Sequence, residues 1–295
     1  MPELPEVKTI VNQLRPKIIG RKIIDFWFAP DFRPKNISLA DFKNKLKNRR
    51  FTSINQRGKN LIFHLEGGLV MLIHLKLTGH FLLGRWQLTS KEPIAQNPEL
   101  SQDPANKYLR FILILDNGEM LALSDLRKFA KVMLVKESEV SSLKDLNLGP
   151  EPIAPDFNFN KFKELFLKVQ KRRPRQKIKA LLMDQKFLAG IGNIYSDEIL
   201  FEAKISPLRP ISQISPPDLE RLFRAMGKIL NEAIKKGGST VGFGDYRNLY
   251  GQPGKYSSYL KVYRRTNEKC FRCGHLIKQI KFGSRSSYYC PYCQK

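Results

Sequence analysis

The four cysteines of this chain form two Cys-x2-Cys pairs near its C-terminus, and this spacing constrains the local fold more than any other feature. Sixteen residues separate Cys273 of the first pair from Cys290 of the second, which is typical of a zinc ribbon. Two such pairs at the ends of a hairpin place four thiolates around one zinc ion and leave no position for water. The sequence therefore predicts one structural zinc bound by Cys270, Cys273, Cys290 and Cys293. A pair of disulfides is the alternative, and we disfavour it because we expect an intracellular chain.

The segment between the two pairs predicts a β-hairpin. Its turn is Gly283-Ser284-Arg285-Ser286, which presents Arg285 at the tip. A guanidinium on a stiff tip suits a phosphate or a base edge. Taken alone, Arg285 equally fits an exposed turn residue.

A large excess of basic residues indicates a polyanionic partner. The 295 residues include 52 Lys and Arg against 27 Asp and Glu, a net charge of +25. Basic clusters occur at Lys43–Lys59, Lys171–Lys179 and Lys255–Lys295. Hydrophobic residues make up 42% of the chain, which excludes a disordered polycation. Nucleic acid is the partner we expect, because basic side chains neutralise phosphates; a lysine-rich protein whose charges only solvate it is the alternative.

The sequence contains no candidate membrane span or secretory signal. The longest serious apolar run is Leu69–Leu75, far short of the roughly 20 residues that a spanning helix needs. The N-terminus carries Glu3 and Glu6 and lacks the basic-then-apolar pattern of a signal peptide. We therefore expect a cytoplasmic protein with no membrane partner.

The N-terminal half of the chain is predicted to be one helix followed by strands. The helix has apolar residues on one face between Val7 and Leu14, Pro5 in its first turn and Pro16 at its end. Strands dominate from Ile23 to Val135, which predicts an antiparallel sandwich or flattened barrel.

Two connections within this half have their own predictions. Asn117-Gly118 predicts a type I′ hairpin turn. Trp86–Lys107 is interpreted as a long polar loop.

The proline-rich segment Leu148–Pro155 predicts a linker to a helical region. A long amphipathic helix is predicted between Leu219 and Ile234, stopped by Gly237-Gly238. Shorter helices are predicted at Asn160–Lys171, Gln176–Asp184 and Ile194–Lys204.

The segment Gly190-Ile191-Gly192-Asn193 lies between two predicted helices. It is a poor dinucleotide-binding motif, because the third glycine is missing and no strand precedes it. As a turn between helices, it allows backbone amides to approach a phosphate, with Asn193 at the next N-cap. A plain tight turn is the alternative.

The N-terminus carries a candidate nucleophile. If Met1 is removed, Pro2 becomes a secondary amine, and an α-amino group titrates near pH 8. Such an amine can condense with a sugar aldehyde carbon to give an iminium, and Glu3 beside it can move protons.

Seven segments stand in a fixed order along the chain. They are Pro2-Glu3-Leu4-Pro5-Glu6-Val7, Gln56-Arg57-Gly58-Lys59, His74-Leu75 with Thr78-Gly79, Asp125-Leu126-Arg127-Lys128-Phe129, Gly190-Ile191-Gly192-Asn193-Ile194-Tyr195, Gly237-Gly238-Ser239-Thr240 and the four-cysteine ribbon. With these segments the sequence resembles the bacterial formamidopyrimidine-DNA glycosylases over essentially its full length. Leu4-Pro5 favours this branch over the endonuclease VIII-like branch, which typically has Gly-Pro.

The resemblance implies a bifunctional DNA glycosylase and AP lyase for oxidised purines. Pro2 would attack C1′ of the damaged nucleotide, and Glu3 would protonate the sugar ring oxygen and shuttle protons. Lys59 would hold a phosphate beside the lesion and support catalysis. β,δ-elimination through a Schiff base would then leave a one-nucleotide gap.

The resemblance also implies DNA-binding residues. His74, Asn193 and Arg285 would contact phosphates. Glu6 would lie near the everted base, and Gly238–Tyr250 would form or border a flap over it.

On the opposite strand, Arg127 would face the orphaned cytosine, and Phe129 would wedge into the stack. Leu77 would be the apolar residue that fills the void, in place of the family's usual methionine.

Three further departures from the family pattern bear on the details. Lys76 replaces a glycine, and Ala130 stands where glycine is usual, which alters the backbone if a positive φ is needed there. Val241-Gly242-Phe243-Gly244 makes the flap longer than usual.

The resemblance implies an α+β multidomain fold: an N-terminal antiparallel β-sandwich with flanking helices, a helix-two-turns-helix domain and a C-terminal zinc ribbon. We expect the sandwich at 1–135, a linker at 136–155, the helical domain with its flap at 156–254 and the ribbon at 255–295.

The partner would be double-stranded DNA with oxidised bases or abasic sites, bound by a monomer in the bacterial cytoplasm at the nucleoid. An endonuclease VIII-like glycosylase for oxidised pyrimidines and a non-catalytic zinc-ribbon DNA-binding protein are the alternatives.

Overall fold

The computed structural model describes residues 1–89, 92–242 and 246–295, which form two compact units. The first comprises Met1–Asn147 and Lys236–Ser257, and the second Leu148–Lys235 and Ser258–Lys295. Within the described residues, no helix is both long enough and apolar enough to cross a bilayer.

The first unit contains two four-stranded antiparallel sheets. Its elements are α1 (Leu4–Ile18), β1 (Ile23–Phe28), α2 (Leu39–Leu46), β2 (Phe51–Arg57), β3 (Asn60–Leu65), β4 (Leu69–His74), β5 (Gly79–Gly84), β6 (Trp86–Gln87), β7 (Ile94–Ala95), α3 (Pro98–Ser101), β8 (Leu109–Leu115), β9 (Met120–Asp125) and β10 (Lys131–Lys136). The sheet orders are β1-β8-β9-β5 and β10-β4-β3-β2. Inward-facing aromatic rings join the sheets, for example Phe63 and Phe81, whose centroids are 5.6 Å apart. The predicted sandwich with flanking helices is confirmed.

The first helix continues past the proline that was expected to end it. Pro16 lies inside α1, which runs to Ile18. The cost of the missing hydrogen bond is offset by burial, because Leu14 and Ile18 are fully buried on the inner face of the helix.

The hairpin at Asn117-Gly118 forms, but the predicted type I′ turn is wrong. A type I′ turn needs positive φ at both central residues, whereas Gly118 has φ +78° and Asn117 is not left-handed. Gly118 N–H donates to the Leu115 carbonyl at 3.0 Å, so a type I turn is followed by a left-handed glycine.

The interpretation of Trp86–Lys107 as a long polar loop is also wrong. This segment contains β6, β7 and α3, and its apolar side chains form a small hydrophobic cluster with residues of the sheet. Trp86, Leu100 and Ala105 are buried in that core against the outer side of β5. Polar residues outnumber apolar ones in this segment, so its composition does not reveal the few apolar side chains that pack it against the sheet.

The second unit is helical and ends in a short hairpin. Its elements are α4 (Phe159–Arg172), α5 (Ile178–Met183), α6 (Asn193–Glu202), α7 (Pro216–Lys235), β11 (Lys278–Phe282) and β12 (Arg285–Tyr289). The four predicted helices are present with ends shifted by a few residues, which is ordinary for helix termini. With the sandwich of the first unit, these elements confirm the α+β fold class.

Candidate functional site

The N-terminal residues are buried at the start of α1. Pro2 is buried, and Glu3 and Glu6 are only 2% and 1% exposed. The backbone N–H of Glu3 donates to Oε2 of Glu6 at 2.7 Å, and Val7 N–H donates to the Glu3 carbonyl at 3.0 Å. The first bond belongs to a capping box between Glu3 and Glu6, and the second is the first intrahelical bond of α1. Together they fix the backbone at Glu3, directly after Pro2.

Gln56 connects this N-terminus to the turn that carries Lys59. Its side-chain amide donates to the carbonyl of Leu4 at 3.2 Å and to the carbonyl of Gly58 at 2.7 Å. Gly58 has φ +57°, and Lys59 is 6% exposed directly after it. The first unit therefore brings the Lys59 turn and the Pro2-Glu3 segment to one place.

His74 lies at the end of β4, beside Lys59. It is paired across the sheet with Asn60, the residue after Lys59. Burial and, after it, the positive charges of Lys76 and Lys59 together lower the pKa of His74 to about 4. The imidazole is thus neutral at pH 7, and its Nδ1 accepts the Lys76 N–H at 3.0 Å. The ring proton is consequently on Nε2, where it can be donated to an anion.

A buried carboxylate organises the loop that carries Arg127 and Phe129. Asp125 is 1% exposed; its Oδ1 accepts the Thr78 hydroxyl at 2.5 Å, and its Oδ2 accepts the Ala130 N–H at 2.7 Å. The Thr78 hydroxyl in turn accepts the Arg127 N–H at 3.0 Å. One side chain therefore joins the segment after β4 to the segment after β9.

The tip of this loop presents a cation and an aromatic ring. The Arg127 guanidinium lies 4.9 Å from the centroid of Phe129, whose side chain is 51% exposed. Leu77, on the segment joined through Thr78, is half-buried.

The base of the loop is held by Asp31. Hydrogen bonds from Lys128 at 2.6 Å and Arg110 at 2.8 Å lower the pKa of Asp31 to about 2.

The two substituted glycine positions differ in their backbone. Lys76 has φ +55°, so it occupies the left-handed region that a glycine adopts without strain. Ala130 is not left-handed, and the positive φ of its loop falls at Lys128, with φ +57°. Ala130 therefore does not strain the loop.

The carboxylate of Glu6 also binds the segment that begins at Gly237-Gly238. Its Oε1 accepts the Ser239 N–H at 2.8 Å. Gly238 has φ +80°, and a Cβ there would lie 2.9 Å from Cγ and Oε1 of Glu6. Tyr246 is 2% exposed nearby, and burial followed by the charge of Glu6 raises its pKa. The predicted flap includes residues 243–245, so the expected lengthening at Phe243 and Gly244 lies outside the described residues.

In the second unit, Asn193 and the hairpin that bears Arg285 are in direct contact. Asn193 Nδ2 donates to the carbonyl of Ser286 at 3.0 Å. Arg285 is exposed at the start of β12, after the turn at Gly283. Asn193 is the first residue of α6 and Gly192 is its N-cap, one residue earlier than expected.

One turn further along α6, Asp197 binds the same strand. It forms a fully buried ion pair with Lys179 at 2.7 Å. It also accepts the Ser287 hydroxyl at 2.7 Å and the Tyr288 N–H at 3.0 Å. Burial raises the pKa of Asp197 to about 6, opposed by these partners. Residues 286–288 of β12 are thereby fixed on α6.

The four cysteines converge at the other end of the hairpin. All four Sγ atoms lie within 4.8 Å of one another, with Cys270–Cys293 at 3.8 Å and Cys273–Cys290 at 3.5 Å. Zinc–sulfur bonds of about 2.3 Å in a tetrahedron place sulfurs roughly 3.8 Å apart. Disulfide bonds would need about 2.05 Å. The thiolates fit one zinc ion.

Sequence reasoning did not assign a role to Gln56, Asp125 or Asp197. Each forms a hydrogen bond to a group distant in sequence: Gln56 to the Leu4 carbonyl, Asp125 to the Thr78 hydroxyl and Asp197 to the Tyr288 N–H. The only available signals were that Gln56 and Asp125 stand inside recognisable motifs.

Family models match three consecutive parts of the chain. The formamidopyrimidine-DNA glycosylase N-terminal domain matches residues 1–132, and the H2TH domain of the same family matches residues 148–245. A zinc finger found in FPG and IleRS matches residues 267–295, which confirms the predicted zinc ribbon.

Individual proteins match over the whole chain. A formamidopyrimidine-DNA glycosylase of Protochlamydia amoebophila is 38% identical, with 100% of both chains covered. Lactococcus lactis Fpg is 31% identical in two solved complexes. The complex with abasic-site DNA has a TM-score of 0.83 and covers 99% of each chain. The complex with N7-benzyl-Fapy-dG DNA has a TM-score of 0.84 and covers 100% of each chain.

Proposed function

The chain belongs to the formamidopyrimidine-DNA glycosylase family, and we propose that it excises oxidised purines from duplex DNA and cleaves the resulting abasic site. The observation that carries this proposal is the N-terminus: Pro2 and Glu3 are held side by side at the start of α1, and Gln56 ties the Lys59 turn to them. An amine, a carboxylic acid and a buried cation are the groups that glycosidic cleavage through a Schiff base requires.

In the first step, the Pro2 nitrogen attacks C1′ of the damaged nucleotide. The C1′–N bond to the base breaks, and the base leaves with the proton that the Pro2 nitrogen gives up. Glu3 protonates O4′, the sugar ring opens, and the nitrogen becomes an iminium joined to C1′. This step needs a free amine, and the Pro2 nitrogen is an amide nitrogen until Met1 is removed.

The iminium then acts as an electron sink for elimination. Loss of a proton from C2′ expels the 3′ phosphate, and a second elimination expels the 5′ phosphate. Glu3 returns protons during these steps. Hydrolysis frees Pro2, and the products are a one-nucleotide gap with phosphates at both ends and an unsaturated sugar fragment.

The lesion must leave the duplex before C1′ can be reached. Flipping costs a few kcal/mol, less at a damaged pair, and phosphate contacts offset it. In our proposal Lys59 and the neutral His74 bind phosphates in the first unit, and Glu6 lies near the flipped base. Asn193 and Arg285 bind phosphates in the second unit.

The loop organised by Asp125 would fill the space that the flipped base leaves. Phe129 and Leu77 would insert into the stack, and Arg127 would bind the orphaned cytosine. An exposed ring beside a guanidinium has the shape and charge for this task.

The zinc ion, when bound, stiffens the ribbon and takes no part in bond breaking, because four thiolates saturate it. Asn193 and Asp197 fix the strand next to Arg285. The ribbon thereby presents Arg285 with little loss of entropy on binding.

We further propose a division of labour along the chain. The catalytic sandwich is residues 1–135, a linker is 136–155, the helical DNA-binding part is 156–254, and the ribbon is 255–295. The protein would work as a monomer in the cytoplasm, held at the nucleoid by its charge of +25.

Product analysis tests the proposal. Duplexes with one 8-oxoguanine opposite cytosine, or one oxidised pyrimidine opposite its normal partner, are cut by the zinc-loaded protein and resolved on a sequencing gel. We expect faster cutting of the 8-oxoguanine duplex, with phosphate at both ends of the gap. Preference for the pyrimidine would favour the endonuclease VIII-like alternative, and binding without cutting would favour a non-catalytic protein.

A further inference from the structure

The two zinc-binding turns carry large apolar side chains that the fold leaves in solvent. Phe271 is 67% exposed, Tyr292 57% and Leu276 51%. Phe271 and Tyr292 stand inside the two Cys-x2-Cys pairs, so the metal site fixes the backbone on both sides of each ring. We call Phe271, His275, Leu276 and Tyr292 the knuckle surface.

The Phe271 ring is supported by an immobilised cation. The guanidinium carbon of Arg265 lies 3.8 Å from the ring centroid. Arg265 donates to the carbonyl of Lys261 at 2.7 Å, to the carbonyl of Lys269 at 3.2 Å and to Glu268 Oε2 at 2.8 Å. A side chain held by three groups cannot swing away, so the ring rests on a rigid base.

The Tyr292 ring is likewise fixed in place. It stacks on His275 with centroids 4.1 Å apart and planes 7° apart. Cys270 N–H donates to the His275 carbonyl at 2.8 Å, which closes the first zinc-binding turn around Phe271. Both rings are therefore preorganised and keep much of their surface in solvent.

Cations surround these rings. The Lys261 ammonium lies 4.9 Å from the Phe271 centroid, and the Lys295 ammonium lies 5.3 Å from the Tyr292 centroid. The stretch 255–295 contains ten basic residues and one acid, Glu268. A partner that complements the knuckle surface therefore has flat apolar groups for the rings and negative charges for the cations.

The knuckle surface lies away from the part of the hairpin assigned to the lesion. Arg285 begins β12, whereas Cys290 directly follows its end. Five residues of strand span about 16 Å, so Arg285 and the knuckle surface lie at opposite ends of the hairpin.

We infer that the knuckle surface binds single-stranded nucleic acid, with bases stacked on Phe271 and Tyr292 and phosphates beside Lys261 and Lys295. Exposed aromatic rings alternating with cations are how proteins bind single strands without sequence preference. Duplex DNA is a poor occupant, because its bases are already stacked. A protein partner is disfavoured because lysine is depleted at protein interfaces. The inference does not depend on the proposed glycosylase activity.

Binding of a fluorescent ten-nucleotide oligothymidylate to full-length, zinc-loaded protein tests the inference. We expect Phe271→Ser/Tyr292→Ser to weaken binding at least about tenfold, as loss of base stacking does. Leu167→Ser, which removes an exposed apolar side chain of the second unit, is the matched control and should change little. Phe271→Trp/Tyr292→Trp should restore binding.

Two further measurements separate stacking from charge and from misfolding. Affinity for inorganic polyphosphate of about ten phosphates should change less than twofold in the Ser/Ser variant. Zinc content and kcat/KM on an 8-oxoguanine duplex should stay at the wild-type value, because neither ring is placed at the lesion. Wild-type oligothymidylate affinity in the Ser/Ser variant would overturn the inference. A second result would also overturn it: the Ser/Ser variant loses affinity for an acidic, aromatic-rich peptide but keeps its affinity for oligothymidylate. That result would identify the knuckle surface as a protein-docking surface.

Discussion

The main-chain N–H of Ser239 donates a 2.8 Å hydrogen bond to the carboxylate of Glu6. The other oxygen of the same carboxylate accepts the N–H of Glu3, the residue after the proposed nucleophile. Glu6 thus ties the N-terminal segment to a residue 233 positions further along the chain, and crowding at Gly238 sets how closely the two segments approach.

Gly238→Ala should therefore destabilise the protein more than Gly237→Ala. Both positions have positive φ, +80° and +73°, so alanine costs about 1–2 kcal/mol at each. Only at position 238 does the new Cβ meet Glu6, which adds roughly 1–3 kcal/mol. Urea unfolding measures the difference. Equal losses in the two variants would mean that Glu6 is not crowded against Gly238.

Asp125→Asn should disorder the loop of Arg127 and Phe129 without unfolding the sandwich. The asparagine side chain has one acceptor oxygen where the carboxylate has two, so one of the two charge-assisted hydrogen bonds, from Thr78 or from Ala130, is lost. This loss lowers the free energy of unfolding by about 2 kcal/mol. If Arg127 binds the orphaned base, the ratio of excision rates opposite cytosine and opposite adenine should fall towards one. Asp41→Asn, on an exposed helix start, is the control and should keep the ratio. An unchanged ratio in Asp125→Asn would contradict the loop's assignment.

His74 should make the protein less stable in mild acid. The pKa of His74 falls from 6.5 in the unfolded chain to about 4 in the folded protein. As the pH is lowered, His74 is therefore protonated in the unfolded chain before it is protonated in the folded one. The stability that its neutral form contributes is complete above pH 6.5 and is lost as the pH falls towards 4. Urea midpoints at pH 7 and pH 5 should therefore differ more in the wild type than in His74→Gln. The same decrease in both proteins would show that His74 titrates normally.

Asp197→Asn should weaken the contacts between α6 and strand β12 of the ribbon. It leaves the buried Lys179 ammonium without its carboxylate, and breaking such a pair costs about 3–5 kcal/mol. Duplex affinity should fall, and its salt dependence should become shallower as the Arg285 phosphate contact is lost. Glu164→Gln, which breaks an exposed pair with Lys168 on α4, should change neither. Full affinity with an unchanged salt slope in Asp197→Asn would refute this role.

Local chemistry made some features predictable. The four cysteines could be assigned from spacing alone, because zinc imposes its geometry on any ribbon. Pro2 and Glu3 could be singled out because amine and acid chemistry is a property of those residues themselves.

Other features depend on the folded chain. Asn117 avoids a left-handed φ because a type I turn with Gly118 joins the strands equally well. Pro16 is tolerated because burial of Ile18 stabilises the helix beyond it. The role of Asp125 rests on its bond to the Thr78 hydroxyl, 47 residues away in sequence, a contact that no local pattern encodes.

Borohydride trapping tests the central claim, that the Pro2 amine is the nucleophile. Mature protein is mixed with a duplex containing 8-oxoguanine, reduced, digested and sequenced by mass spectrometry, with intact mass confirming removal of Met1. We predict one covalent adduct per active chain, on the nitrogen of Pro2. Wild-type lesion cutting with no adduct, or with the adduct on a lysine such as Lys59, would contradict the account.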